Sequence, residues 1–110
     1  MAFNITWRGT SGQSYTFETH PVGTQFKPIS GVYIFCRQIP SGNWESLYVG
    51  ETKSLQDRLG VPITGHDGYI RSRKLGMTHI AAMTVVGDAE RLRIETDLRH
   101  GTISLSKMLH

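Results

Sequence analysis

The chain opens on strict alternation. Phe3, Ile5 and Trp7 are apolar while Asn4, Thr6 and Arg8 are polar, and Tyr15 and Phe17 alternate with Thr16 and Glu18 in the same way. A period of two puts successive side chains on opposite faces of a strand. Gly9-Thr10-Ser11-Gly12 separates the two runs, which predicts a β-hairpin with Trp7, Tyr15 and Phe17 in the core. Pro21 to Ser30, punctuated by Pro and Gly, reads as a connection. Residues 31–50, GVYIFCRQIPSGNWESLYVG, predict a second hairpin around the turn Pro40-Ser41-Gly42-Asn43. In its first strand Val32, Ile34 and Cys36 oppose Tyr33 and Phe35. In its second, Trp44, Ser46 and Tyr48 oppose Glu45, Leu47 and Val49. A hairpin brings its ends together, so Tyr33 and Tyr48 are expected to point toward one site.

Helical signals follow. Ser54 and Asp57 have the capping-box spacing, and Gly60 and Pro62 stop that helix early. Gly65-His66-Asp67-Gly68 reads as a turn, and Tyr69 to Leu75 as a short helix rich in cations, closed by Gly76. His79 to Val86 is a buried strand. Asp88 caps a helix from Ala89 to about His100, with Leu92, Ile94 and Leu98 as its apolar stripe, Glu95 beside that stripe and Gly101 at its end. The order hairpin, hairpin, helix, helix, strand, helix predicts an α+β fold. It is a small antiparallel β-sheet flanked by helices, with an extra N-terminal β-hairpin. The length predicts a single domain over 1–110, divided into hairpin and connection (1–30), core (31–101) and tail (102–110).

Composition narrows the function classes. With 38% hydrophobic and 19% charged residues the chain is globular material, not a disordered tail. A net charge of +3 permits a polyanionic partner without requiring one. Cys36 alone cannot form an internal disulfide, which fits a reducing, cytoplasmic setting. It lies mid-strand and reads as a small buried hydrophobe, without neighbours at zinc-ligand spacing. The longest apolar run, Ile80 to Val86, is too short to span a bilayer, and Asn4 and Arg8 interrupt any signal peptide, so no membrane partner is expected.

Hydrolysing a phosphodiester takes a cation to neutralise phosphate charge, a group to handle the proton of water, and stabilisation of the leaving oxygen. The chain supplies suitable types in Tyr33, Tyr48, Arg58, His66 and Glu95. The tripeptides Gly31-Val32-Tyr33 and Tyr48-Val49-Gly50 span the second hairpin. Arg58 stands ten residues past Tyr48, and Arg93-Ile94-Glu95-Thr96-Asp97-Leu98 lies on the last helix. Together these resemble the GIY-YIG nucleases, a superfamily of homing, repair and restriction endonucleases, over roughly 31–101. The resemblance implies an endonuclease that cuts DNA with a divalent cation, Mg2+ or Mn2+. It implies that Glu95 holds the metal, that Tyr33 acts as or orients the general base, and that Tyr48 bonds near the metal water or phosphate. Arg58 would stabilise the pentacovalent phosphate, and Gly31 and Gly50 would let the backbone pass close to substrate. Lys53, Arg71, Arg73 and Lys74 would contact phosphates.

Two departures stand out. The histidine that family members often carry four residues after the arginine falls on Pro62. Either His66 is its equivalent behind a four-residue insertion, at the rim of the site, or the role is absent. The family's Pro-x-x-Asn tail has no counterpart in residues 101–110, which contain neither Pro nor Asn. The rival expectation is a GIY-YIG-like module that binds nucleic acid or a protein without cutting. No separate recognition domain is expected, so specificity would come from dimerisation or a protein partner, or be weak.

Overall fold

A computed structural model describes residues 2–101 and 103–104. Both predicted hairpins form. The first joins β1 (Phe3–Arg8) to β2 (Ser14–Pro21), and the second joins β3 (Gly31–Gln38) to β4 (Trp44–Thr52). Their turns have the same build. Gly9 N–H donates to the Gln13 carbonyl and Gly12 N–H to that of Gly9; Ile39 donates to Asn43 and Gly42 to Ile39. Gly12 and Gly42 close the turns at φ +91 and +92, which a side chain would strain.

Next come α1 (Leu55–Leu59), α2 (Asp67–Lys74), β5 (His79–Thr84), α3 (Asp88–Gly101) and β6 (Ile103–Ser104). All strand pairs are antiparallel, in the order β1-β2-β5-β3-β4, and β6 pairs with both β4 and β1 to curl the sheet closed. The fold is therefore α+β. The N-terminal hairpin extends the three-stranded unit β5-β3-β4 through the β2–β5 pair. Of the tail 102–110, only Ile103 and Ser104 lie within the described residues. No helix among the described residues is long and apolar enough to cross a membrane.

β3 is buried on both faces from Gly31 to Cys36. Val32, Ile34 and Cys36 join Ile5, Trp7, Tyr15, Phe17, Ala81, Ile94 and Leu98 inside the curl. Tyr33 and Phe35 face outward into a second cluster with Leu55, Leu59, Met77 and Ile80, roofed by α1 and α2. The alternation expected in β4 fails. A bulge breaks the register between Phe35↔Tyr48 and Cys36↔Ser46, leaving Leu47 as the extra residue. Trp44 and Val49 consequently share the inner cluster, while Leu47 and Tyr48 both pack outward.

The stripe of α3 also differs. Leu92 is 57% exposed, while the buried positions are Arg91, Ile94, Glu95 and Leu98. These four follow the i, i+3, i+4, i+7 spacing of one helix face, so geometry selects two charged residues and rejects a leucine. Arg91 is accommodated by ion pairs with Glu51, at 3.0 Å, and with Asp88. Asp97, on another face, fastens the first hairpin. Its carboxylate accepts from Ser11 N–H at 2.8 Å, from Ser11 Oγ at 2.7 Å and from the Tyr15 hydroxyl at 2.7 Å.

Candidate active site

The β3–β4 register sets Tyr33 opposite Gly50 and Phe35 opposite Tyr48. Gly50 has no side chain because the Tyr33 ring fills that space: a Cβ there would stand 2.5 Å from the Tyr33 hydroxyl and Cζ. A Cβ on Gly31 would meet the Met83 carbonyl at 2.5 Å and Leu55 at 3.3 Å. The space a side chain would take at both motif glycines is filled by the protein itself. Gly50→Ala should displace the Tyr33 ring and cost about 1–3 kcal/mol by overpacking. Urea unfolding of the variant checks this, and an unchanged midpoint would show that the ring yields freely.

Tyr33 sits among aromatic rings. Its centroid is 6.2 Å from Tyr48, 5.3 Å from Phe35 and 5.9 Å from His66. Tyr48 stacks on Phe35 at 5.5 Å and meets the His66 ring edge-on at 5.2 Å. Gly68 opens the first turn of α2 to this cluster, since a Cβ there would lie 2.5 Å from the Tyr48 ring.

His66 is neither at a rim nor in a turn. It is 1% exposed and N-caps α2. Its Nδ1 accepts the Tyr69 backbone N–H at 3.2 Å, and its Nε2 lies 2.8 Å from the Tyr33 hydroxyl. A backbone N–H can only donate, so Nδ1 carries no proton. These partners assign the tautomer: Nε2–H donates to the Tyr33 oxygen, and the Tyr33 proton points elsewhere. Burial holds the His66 pKa below its usual value, with the Arg58 charge adding to the effect. Protonating Nδ1 would break the cap as well.

A pH dependence follows. The folded state keeps His66 neutral, while the unfolded chain takes up the proton near pH 6.5. Below that value the unfolded state binds more protons, so stability falls as pH drops. His79, also lowered by burial, adds to the same trend. His66→Asn can keep the cap but not the bond to Tyr33. It should cost about 1–3 kcal/mol at neutral pH through the stranded hydroxyl, and unfold with a shallower loss of stability between pH 7.5 and 5.5. Equal slopes in urea titrations of the two proteins would refute the neutral assignment.

Tyr33 is 1% exposed, and burial pushes its hydroxyl up to about 12. The Arg58 guanidinium beside it opposes that shift, while Tyr48 and the Glu95 carboxylate reinforce it. Of the predicted residues, Tyr33, Tyr48 and His66 gather as one ring cluster, with Tyr33 and His66 beneath, part of Tyr48 at the surface, and the exposed Arg58 near enough for its charge to act on the Tyr33 hydroxyl. Glu95 lies on the α3 face that carries Ile94 and Leu98 of the inner cluster, whereas Tyr33 belongs to the outer one; its charge acts on Tyr33 at a distance, and its carboxylate pairs with Arg99 at 3.0 Å. Lys53, Arg71 and Lys74 are exposed, and the Arg71 charge reaches His66. Arg73 is also exposed, but its guanidinium donates to the Met77 carbonyl at 2.7 Å, tying the end of α2 to the next loop. Cys36 is buried with its thiol pushed up to about 12, which keeps it protonated at neutral pH.

Sequence reasoning missed Phe35, Gly68 and Arg99 as parts of this group. Phe35 was legible only as an alternating apolar position, whereas Arg99, four residues past Glu95, carries the pairing signal of a helix face. No protein-family model, curated protein or solved structure matches the chain.

Proposed function

We propose that the protein is a divalent-metal-dependent endonuclease that hydrolyses DNA phosphodiester bonds through a GIY-YIG-type site. One juxtaposition supports this reading most: the Tyr33 hydroxyl receives His66 Nε2–H at 2.8 Å, with the Tyr48 ring beside it and the Arg58 charge acting on it. Sheet packing alone does not require a phenol and an imidazole to be hydrogen-bonded beside a guanidinium.

The residues present fit a weakly held hard cation. Among the described residues no three His, Cys, Asp or Glu side chains gather as a closed metal site. Mg2+ keeps several waters and needs one or two carboxylates plus phosphate oxygens, which Glu95 and a substrate can provide. A cation bound there would neutralise charge developing on the phosphate. Arg58 is exposed, its charge acts on Tyr33, and it is the group placed to bind a phosphate. Its movement onto the phosphate would open the phenol oxygen to a water. Tyr33 then orients that water, with the phenol aimed by His66. The water oxygen bonds to phosphorus, the bond to the leaving oxygen breaks, and the water proton passes by way of Tyr33 to solvent, which reprotonates the leaving oxygen. Tyr48 bonds the phosphate or its water. Lys53, Arg71 and Lys74 contact flanking phosphates, and a cytoplasmic setting suits the free Cys36.

The burial of Tyr33 and the Arg99 hold on Glu95 favour a second reading, a nucleic-acid-binding or protein-interaction module of the same build that does not cut. Incubation with supercoiled plasmid separates the two. Nicked or linear product with Mg2+ or Mn2+, abolished by chelator, is the expected result. Salt-sensitive DNA binding without any metal-dependent product would establish the rival.

A further inference from the structure

We propose that Arg99 is a nucleic-acid phosphate ligand of this site, parked on Glu95 until a strand enters the cleft between α3 and β4. The proposal rests on the endonuclease reading above. Arg99 follows Glu95 by one helical turn, and their 3.0 Å ion pair joins a side chain 58% exposed to one 11% exposed. The exposed partner is the one free to move.

Arg99 also forms one wall of a cleft of about 420 Å³, opposite Ser46, Leu47, Tyr48 and Val49 of β4. Tyr48 belongs both to that wall and, through its ring, to the cluster with Tyr33 and His66, so the cleft adjoins the aromatic cluster. On this edge β4 pairs with β6 only at Glu45, and among the described residues the strand beyond it is open to the cleft. A planar guanidinium matches phosphate oxygens in two-pronged fashion. Glu95 is buried, so it gives up the guanidinium only when the cation takes its place, while Arg99, the exposed partner, exchanges the carboxylate for a phosphate.

The exchange has a second consequence. Arg99 and a divalent cation compete for the Glu95 carboxylate. A strand that draws Arg99 away leaves Glu95 free for the cation, so DNA and metal each strengthen the binding of the other, by the same factor. The parked arginine would then keep the site short of metal until a strand arrives.

Mn2+ binding, read from the paramagnetic resonance of free Mn2+, tests the competition on the full chain as wild type, Arg99→Gln and Glu95→Gln. Anisotropy of a labelled DNA duplex, in chelator across a NaCl series, tests the phosphate contact. Arg99→Gln should bind Mn2+ roughly 3- to 10-fold more tightly by removing an adjacent positive charge. It should bind DNA more weakly, with a salt slope about one unit smaller. Arg99→Lys should keep the slope, because it keeps the charge. Unchanged Mn2+ affinity together with an unchanged slope in Arg99→Gln would overturn the proposal and leave a helix-surface ion pair. If Glu95→Gln binds Mn2+ as well as wild type, the assignment of the metal to Glu95 fails, and the parking role fails with it. That result is distinct from failure of Arg99 alone, in which Glu95→Gln still loses the ion.

Discussion

Glu95→Gln is expected to leave the protein folded and able to bind DNA while plasmid cleavage at saturating Mg2+ falls by at least about 10²-fold, the scale of losing one key electrostatic group. Glu95 is buried on the inner face of α3 beside Ile94 and Leu98, so removing its shape would damage packing. Glutamine keeps the shape and still accepts a hydrogen bond from Arg99. What it lacks is the charge that holds a hard cation. Asp97 cannot take over, because its two oxygens are committed to Ser11 and Tyr15. The comparison is initial rates of plasmid nicking by the two proteins with matched thermal melts. Equal rates would remove Glu95 from the chemistry, and no cleavage by wild type with any divalent metal would favour the binding module.

Trp7→Ala should destabilise the fold by about 3–5 kcal/mol, a large share of the 5–15 kcal/mol that small domains possess. Trp7 is 1% exposed, lies opposite Tyr15 in the β1–β2 register and packs in the cluster inside the curl. Truncation leaves a cavity between the N-terminal hairpin and the β3 face, where β strands have little freedom to collapse. Trp7→Phe supplies the contrast. The indole N–H is buried without a hydrogen-bond partner among the described residues, so phenylalanine removes a stranded donor along with some volume. Its cost should stay below that of alanine by at least about 1.5 kcal/mol. Urea midpoints of the three proteins decide the matter. An alanine variant as stable as wild type would place Trp7 outside the cooperative core.

Most of the secondary structure was legible because local rules agree with the fold. Alternation in residues 3–8 and 14–21 survives, since each strand there has one wet face and one dry face. Ser54 caps α1 with its hydroxyl 3.2 Å from Asp57 N, as the spacing requires. Locally coded features failed where a tertiary neighbour intervened. The bulge at Leu47 leaves no mark in composition, yet it turns Val49 inward and Tyr48 outward. Histidine is a rare N-cap, so nothing in Gly65-His66-Asp67-Gly68 announces the start of α2. The helix begins there because the imidazole is already held by Tyr33 on one side and can satisfy Tyr69 N–H on the other.

The amino-acid order by itself determined the two hairpins, their glycine turns, the helix order, the two opposing apolar sets of β3 and the residue types able to handle a phosphate. Those properties depend on spacing of two or 3.6 residues and on the backbone freedom of glycine, which neighbours in sequence decide. Only the tertiary structure decided that Gly50 is an empty seat for Tyr33, that His66 lies beneath the site and that Arg91 displaces Leu92 from the buried stripe. It alone set the Arg99–Glu95 pair, local in its spacing, beside the cleft. These placements join residues far apart in the chain, as Arg91 and Glu51, 40 positions apart, are joined. They are set by strand register, helix phase and the need of each buried charge or donor for a partner, which no local pattern records.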